Sequence, residues 1–454
     1  MVPDIMKLII ANDIDYDLAR KKDVRAYASR ALWFANQEDV LIVGDDIDPV
    51  YVAHVSSVLE RDLQSVNFIK SPAGRFDRTV MDPLSLCEPE FVEIVRNVLS
   101  GRDIDELWAM WPSSSVAKLV ELLRRRSMLP GARFIGQGGG SLLNDKTIFR
   151  ALSASLDFDV APGMWVRSQD AAVSATRDLL KKRGVVLAKG AHGGAGARNE
   201  IIAWQRDKAD FIDVGAKRVC LLDSLEDGVS TFWEDAWDRL SDHNRFGVVI
   251  ESFIEGCKTS YAEFWCGDRT TKLGAVGDLI FKNNALEDEA LPSQHLDFEQ
   301  KALLERKAFP IADACRKLGY RGPLSVDAII DKEGKVWFTE INCRFTGSTH
   351  LWSSIYPMLL SEDSSDVANN SETYLMQSTT NAQCSFSTLS NFLSRLDSLG
   401  ILYQPGSNQG IIAITPIIGG NNSGGPLIYA TVANSLAEHQ ALRAALLQEF
   451  SHNA

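Results

Sequence analysis

Along residues 1–140, short unbroken apolar runs alternate with stretches whose apolar positions recur at helical spacing. The runs Leu8 to Ala11, Val40 to Val43 and Leu107 to Met110 offer no polar position to turn toward water, which suits strands covered on both faces. Between them, 23–36, 49–60 and 114–126 are expected as amphipathic helices. Strands alternating with helices predict a parallel, doubly wound layer. The strand ends Asn12-Asp13 and Gly44-Asp45-Asp46 lie where such sheets bind ligands, although each carboxylate reads equally well as a cap or turn residue.

Ile135 to Gly140 is rich in glycine and follows an apolar run. Its spacing departs from a dinucleotide-binding loop and it lies far from the first strand, so an interdomain linker is the better account. Beyond it the pattern changes. Asn144-Asp145-Lys146 opens a helix expected to run to about Leu156, with a lysine where the helix dipole disfavours one. Taken alone, that lysine reads as a solvated surface residue. The apolar strand Val185 to Lys189 then leads into Gly190-Ala191-His192-Gly193-Gly194-Ala195-Gly196-Ala197-Arg198. Glycines let several backbone N–H groups converge on phosphate oxygens, and Lys189 adds a point charge; an unliganded glycine-rich hairpin is the bland alternative.

The most specific segment is a hairpin, Leu324 to Ile330 and Val336 to Arg344, joined by a turn containing Gly334. Strand periodicity points Glu340 and Asn342 to one face, and Asp327 can sit beside them on the neighbouring strand. Oxygen donors of this kind suit magnesium, whereas two carboxylates pressed together without a cation repel. Carboxylates that merely face water are the alternative. Cys343 alternates to the opposite face and is expected in the core, while His350 and Arg198 are candidates for substrate contact or proton removal.

Composition narrows the function classes. With 45% hydrophobic and 24% charged residues over 454, the chain has room for about three domains of an ordinary globular protein. A net charge of −13 argues against nucleic-acid and anionic-membrane partners. Seven scattered cysteines without a C-x-x-C pair favour free thiols in a reducing cytoplasm over disulfides or zinc. No signal peptide or membrane span is expected.

The order Lys146, Lys189 with its glycine loop, Val248-Val249-Ile250-Glu251-Ser252-Phe253-Ile254-Glu255-Gly256, Asp327, then Glu340-x-Asn342-x-Arg344 resembles the ATP-grasp superfamily over residues 143–360. That resemblance implies an α/β (α+β grasp) fold whose ATP-grasp domain has two α+β subdomains. It also implies ATP phosphates on Lys146 and Lys189, with Gly193, Gly194 and Gly196 cradling them, and adenine read by Glu251, Phe253 and Ile254. Magnesium, for which manganese can substitute, falls on Asp327, Glu340 and Asn342. Arg344 matches an arginine that holds the carboxylate or acyl phosphate and, with Lys189, is assigned to catalysis; the glycine loop is expected as a lid. Lys189 is followed by Gly190 where the superfamily frequently has proline, and the Trp-, Asp- and Glu-rich stretch 223–242 has no counterpart.

The whole chain is similar to the peptide-ligase branch of pheganomycin biosynthesis. A doubly wound pre-ATP-grasp domain would occupy 1–142 and the grasp 143–360. A polar linker would follow at 361–387, then a small C-terminal α+β domain at 388–454. There, Gly410 to Ile414 and Leu427 to Val432 read as strands around the loop Gly419 to Gly425, followed by a helix to about Phe450. The resemblance implies an ATP-dependent carboxylate–amine ligase acting on amino acids or peptides through an acyl phosphate. Loading an amino acid onto a carrier-protein thiol, and nonenzymatic ATP-binding regulation, are the two alternatives; a homodimer is left open.

Overall fold

The computed structural model describes residues 5–12, 24–193, 196, 198–206, 211, 213–360, 373–379, 386, 388–417 and 427–450. Asp13, Gly194, Cys384 and the loop Gly419 to Gly425 lie outside the described residues.

The first layer is a parallel sheet of β1 (Lys7–Ile10), β2 (Val40–Val43), β3 (Asn67–Lys70) and β4 (Glu106–Ala109), in the order β3-β2-β1-β4. The strands β1 and β2 are buried along their whole length, as their unbroken apolar runs require. At the sheet edge, β3 buries only Ile69 and so carries no apolar run to announce it. The helix expected over 23–36 is an α-helix, Arg25–Ser29, that tightens into a 3-10 segment, Arg30–Phe34. Trp33 is fully buried there and donates its indole N–H to the Ile414 carbonyl at 2.9 Å. Ile135 to Gly140 is no open linker: it falls in two short helices, Ala132–Gly136 and Gly139–Leu143, whose buried Ile135 anchors them to the first core.

The second sheet contains β5 (Gly163–Val166), β6 (Val185–Gly190), β7 (Asn199–Trp204), β8 (Arg218–Leu222) and β9 (Val248–Ser252), in the order β5-β9-β6-β7-β8. The stretch without a counterpart is the helix Glu226–Ser241. Val229, Trp233, Ala236, Trp237 and Leu240 line its buried face, while its acidic residues face outward.

The third sheet is antiparallel and consists of β10 (Lys258–Cys266), β11 (Thr271–Lys282), β12 (Ala285–Leu291), β13 (Gly322–Ile330), β14 (Val336–Asn342), β15 (Tyr374–Thr379), β16 (Gly410–Ala413) and β17 (Ile428–Ala433). Its order is β14-β13-β10-β11-β12-β15-β17-β16. Two expectations change here. Residues 374–379, inside the stretch expected as a linker, form β15, whose serine, threonine and glutamine content hid a strand paired on both sides. The C-terminal strands build no sheet of their own but extend this one, and their apolar side chains join the core of the first layer. The Tyr51 hydroxyl donates to the Ile414 carbonyl at 2.6 Å, and His54 Nε2 accepts the Ala413 N–H at 3.2 Å, fastening the two parts together. Among the described residues no helix is long and apolar enough to cross a membrane.

Candidate functional site

The helix Lys146–Leu156 begins under an Asp145 cap that accepts the Thr147 N–H at 2.7 Å, which fixes Lys146 as its first residue. The Lys146 N–H bonds the Ala191 carbonyl at 2.9 Å, and its ammonium bonds the Gly193 carbonyl at 2.8 Å. The same Nζ lies 2.6 Å from Glu340 Oε2. One side chain therefore ties the second sheet's glycine loop to the third sheet's hairpin. Lys189, buried at the end of β6, pairs with Glu251 on the neighbouring β9 at 2.5 Å. The other Glu251 oxygen takes Arg150 Nη1 at 2.9 Å.

Arg150 was not legible as a site residue from any motif. Its signal was positional, because it stands four residues after Lys146 on one helix and so shares its face. Glu251 accordingly has both carboxylate oxygens taken as counter-ions to Lys189 and Arg150. Phe253 packs on Phe211 at 5.8 Å and Ile254 is half-buried, so both stand on the flank of the second sheet. Gly196 adopts φ +70°, and a Cβ there would meet the Gly215 carbonyl at 2.6 Å, so glycine is required.

On the hairpin, Asp327 faces Glu340 and Ser325 faces Asn342, which puts all four side chains on one face. Ser325 donates to Asp327 Oδ1 at 2.6 Å. The Asn342 amide N–H₂ donates to Asp327 Oδ2 at 3.0 Å and approaches Glu340 Oε1 at 3.4 Å. Burial, then the adjacent Glu340 charge, pushes the Asp327 carboxyl well above the usual carboxylate range. Burial would raise Glu340 as well, but Lys146 and Lys189 hold it below its ordinary value. Two carboxyls this close repel unless one keeps its proton or a cation offsets their charge.

The donor set of two carboxylates and an amide is magnesium's chemistry, and among the described residues no cluster of three His, Cys, Asp or Glu side chains competes with it. As placed, the Asn342 oxygen accepts from Arg344 Nη2 at 3.1 Å, so metal ligation by that oxygen requires the amide to turn over. Arg344 stacks on the Trp111 ring at 5.0 Å, and its Nε is buried without a partner.

The remaining candidates are already engaged, and the Arg198 side chain packs on Gly190 and Gly193 of the glycine loop. Arg198 is paired with Asp242 at 3.1 Å. His350 is fully buried against Gln377 at 2.9 Å, and burial followed by Arg30 drives its pKa well down, which leaves it neutral. Cys343 is fully buried in the core.

A family model described as the Pre ATP-grasp domain matches residues 28–124. No match to a curated protein is found. Among solved structures, an ADP complex of the N5-carboxyaminoimidazole ribonucleotide synthetase purK superposes with a TM-score of 0.56 at 14% identity, covering 98% of this chain and 97% of that one. The biotin carboxylase domain of 2-oxoglutarate carboxylase from Hydrogenobacter thermophilus, bound to MgADP and bicarbonate, gives 0.57 at 14% identity, covering 97% and 89%. An L-amino acid ligase from Bacillus licheniformis gives 0.52 at 13%, covering 98% and 97%. At these identities the likeness is one of fold: the chain has the ATP-grasp architecture over nearly its whole length.

Proposed function

We propose that this chain is a magnesium- and ATP-dependent ligase that phosphorylates a carboxylate and passes the acyl group to an amine, releasing ADP and phosphate. The observation that carries the reading is the 2.6 Å contact between Lys146 and Glu340. It brings the ammonium groups of Lys146 and Lys189 together with the hard oxygen donors of the third sheet's hairpin. The nucleotides in the similar synthetase and carboxylase structures support ATP as the phosphoryl donor, and the amino acid ligase supports amino acids or peptides as acid and amine.

A carboxylate is a poor electrophile because its charge is delocalised and oxide does not leave. Phosphorylation converts one of its oxygens into part of a phosphate leaving group. When triphosphate enters, Lys146 and Lys189 exchange their carboxylate partners for phosphate oxygens and neutralise charge as it develops. Asp327, Glu340 and Asn342 would hold a magnesium ion, which would supply positive charge to keep the carboxylates ionised and to offset charge on the phosphates. Arg344, over the Trp111 ring, would exchange its Nη bonds to Asn342 and the Phe345 carbonyl for the carboxylate of the acid and so position its attacking oxygen. The amine then attacks the acyl carbon, the C–O bond to phosphate breaks, and phosphate leaves.

Glu340→Gln tests this directly. The variant keeps the shape of the side chain and removes the charge facing Lys146, so turnover measured as ADP release in the presence of an acid, an amine and magnesium should fall by about 10³-fold or more. Near-normal turnover in a folded variant would contradict the assignment.

A further inference from the structure

The face of the third sheet that carries Asp327 and Asn342 does not end at the hairpin. Glu263 on β10 pairs with Ser325, and Tyr261 pairs with Asp327, so both share that face. Two strands further, Glu289 on β12 pairs with Leu279 and with Gln377 on β15. Tyr261 crosses the intervening β11 over Gly277, where a Cβ would lie 2.3 Å from the phenol oxygen. A Cβ on Gly347 would lie 2.6 Å from Glu289 Oε1, so the covering segment Arg344 to His350 comes down on this carboxylate just as closely. Arg30 of the first layer holds that segment by donating to the Thr346 and Gly347 carbonyls at 3.1 and 3.2 Å.

The strip is acidic and incompletely satisfied. Glu263 is 0% exposed and Glu289 8% exposed. Neither has a basic side chain within ion-pairing distance among the described residues, and Arg30 spends its hydrogen bonds on backbone. Thr346 and Ser348 both donate to Glu263 Oε1 at 2.6 Å, but its Oε2 closes no hydrogen bond. The Tyr261 hydroxyl, 1% exposed, feels the charge of both carboxylates and has the Ser348 hydroxyl beside it, without a well-formed hydrogen bond. Gln377 Nε2 donates to Glu289 Oε2 at 3.1 Å, so both carboxylates have neutral donors only, and a cation with several N–H groups would offset their charge.

We propose that Tyr261, Glu263 and Glu289 form the subsite for the ammonium group of an amino-acid substrate whose carboxylate lies at Arg344. This rests on the ligase reading and deepens it, because it makes the acid partner an amino acid with a free α-amino group rather than a plain carboxylic acid. Three N–H donors of an ammonium match the free Glu263 oxygen, Glu289 and the tyrosine oxygen, and Arg344 is close enough to act on both carboxylates electrostatically.

The test is a thermal-shift titration of the full chain with MgADP alone, then with each of the twenty proteinogenic L-amino acids beside a matched acid lacking the amino group, such as propanoate for alanine. At least one amino acid is expected to raise Tm above the MgADP value while its deaminated partner does not. Glu289→Gln and Glu263→Gln should lose that shift and keep the MgADP shift, which also shows that they fold. In turnover, the wild type should favour the amino acid over its deaminated partner by about 10⁴-fold. Equal shifts from both partners, no amino-acid shift beyond MgADP, or a shift that survives in both variants would overturn the subsite. A chain that MgADP does not stabilise would instead overturn the ligase reading beneath it.

Discussion

Glu289 is pushed from its ordinary 4.5 up to about 7, first by burial, although Arg30 pulls it back. Glu263 is also raised to about 7, again by burial, against the Ser348 and Thr346 hydroxyls. A carboxyl with its folded pKa above its unfolded one holds its proton longer in the native state, so stability falls as pH rises from 4.5 through 7. Each group then costs the folded state about 3 kcal/mol at pH 8, without full additivity for two carboxylates that feel one another. Glu289→Gln should therefore raise stability at pH 8 by up to about 3 kcal/mol and flatten the dependence between pH 4.5 and 7, as measured by urea denaturation across that range. A variant less stable than wild type at pH 8 would show that the carboxylate is already neutralised within the fold. Residues that weaken the unliganded protein and can be replaced by an isostere at a gain are characteristic of binding sites.

At the level of elements, the C-terminal strands hang on histidines. Burial lowers His54 to about 4, and it must be neutral to accept the Ala413 N–H that holds β16. His439 is likewise lowered to about 4, chiefly by burial, and bonds Thr431 on β17. For a histidine with a depressed folded pKa the unfolded chain binds the extra proton first, so stability is lost as pH falls from 6.5 toward 4. Amide protection factors in β16 and β17 should drop across that window before those of β1 and β2 do; uniform loss across all sheets would contradict this. These strands also show what the sequence can and cannot reveal. Gly410 to Ile414 and Leu427 to Val432 were legible as strands because they are almost wholly apolar, yet nothing local specifies that they extend the third sheet. That follows from β15, whose Gln377 and Ser378 are polar because they bond Glu289 and Asp288. The hairpin around Asp327 and Glu340 was legible because its turn and alternation are local. Glu263 and Glu289 were not, since their meaning comes from strands brought together across the sheet.

For the molecule as a whole, three sheets meet where Lys146 bridges the glycine loop and the hairpin. The first layer reaches the same place through Arg30 and Trp111, and the C-terminal strands through Gln377. Such an arrangement suits a reaction that must bring a nucleotide, an acid and an amine together and exclude water. The chemical core of the proposed reaction is transfer of a phosphoryl group onto a carboxylate oxygen. The most direct measurement follows that oxygen. The protein is incubated with ATP, magnesium and the proteinogenic amino acids labelled with ¹⁸O in their carboxylates, and the released phosphate is analysed by mass. One ¹⁸O atom in each phosphate, with ADP as the other product, is the predicted result; unlabelled phosphate, or AMP and pyrophosphate, would contradict it.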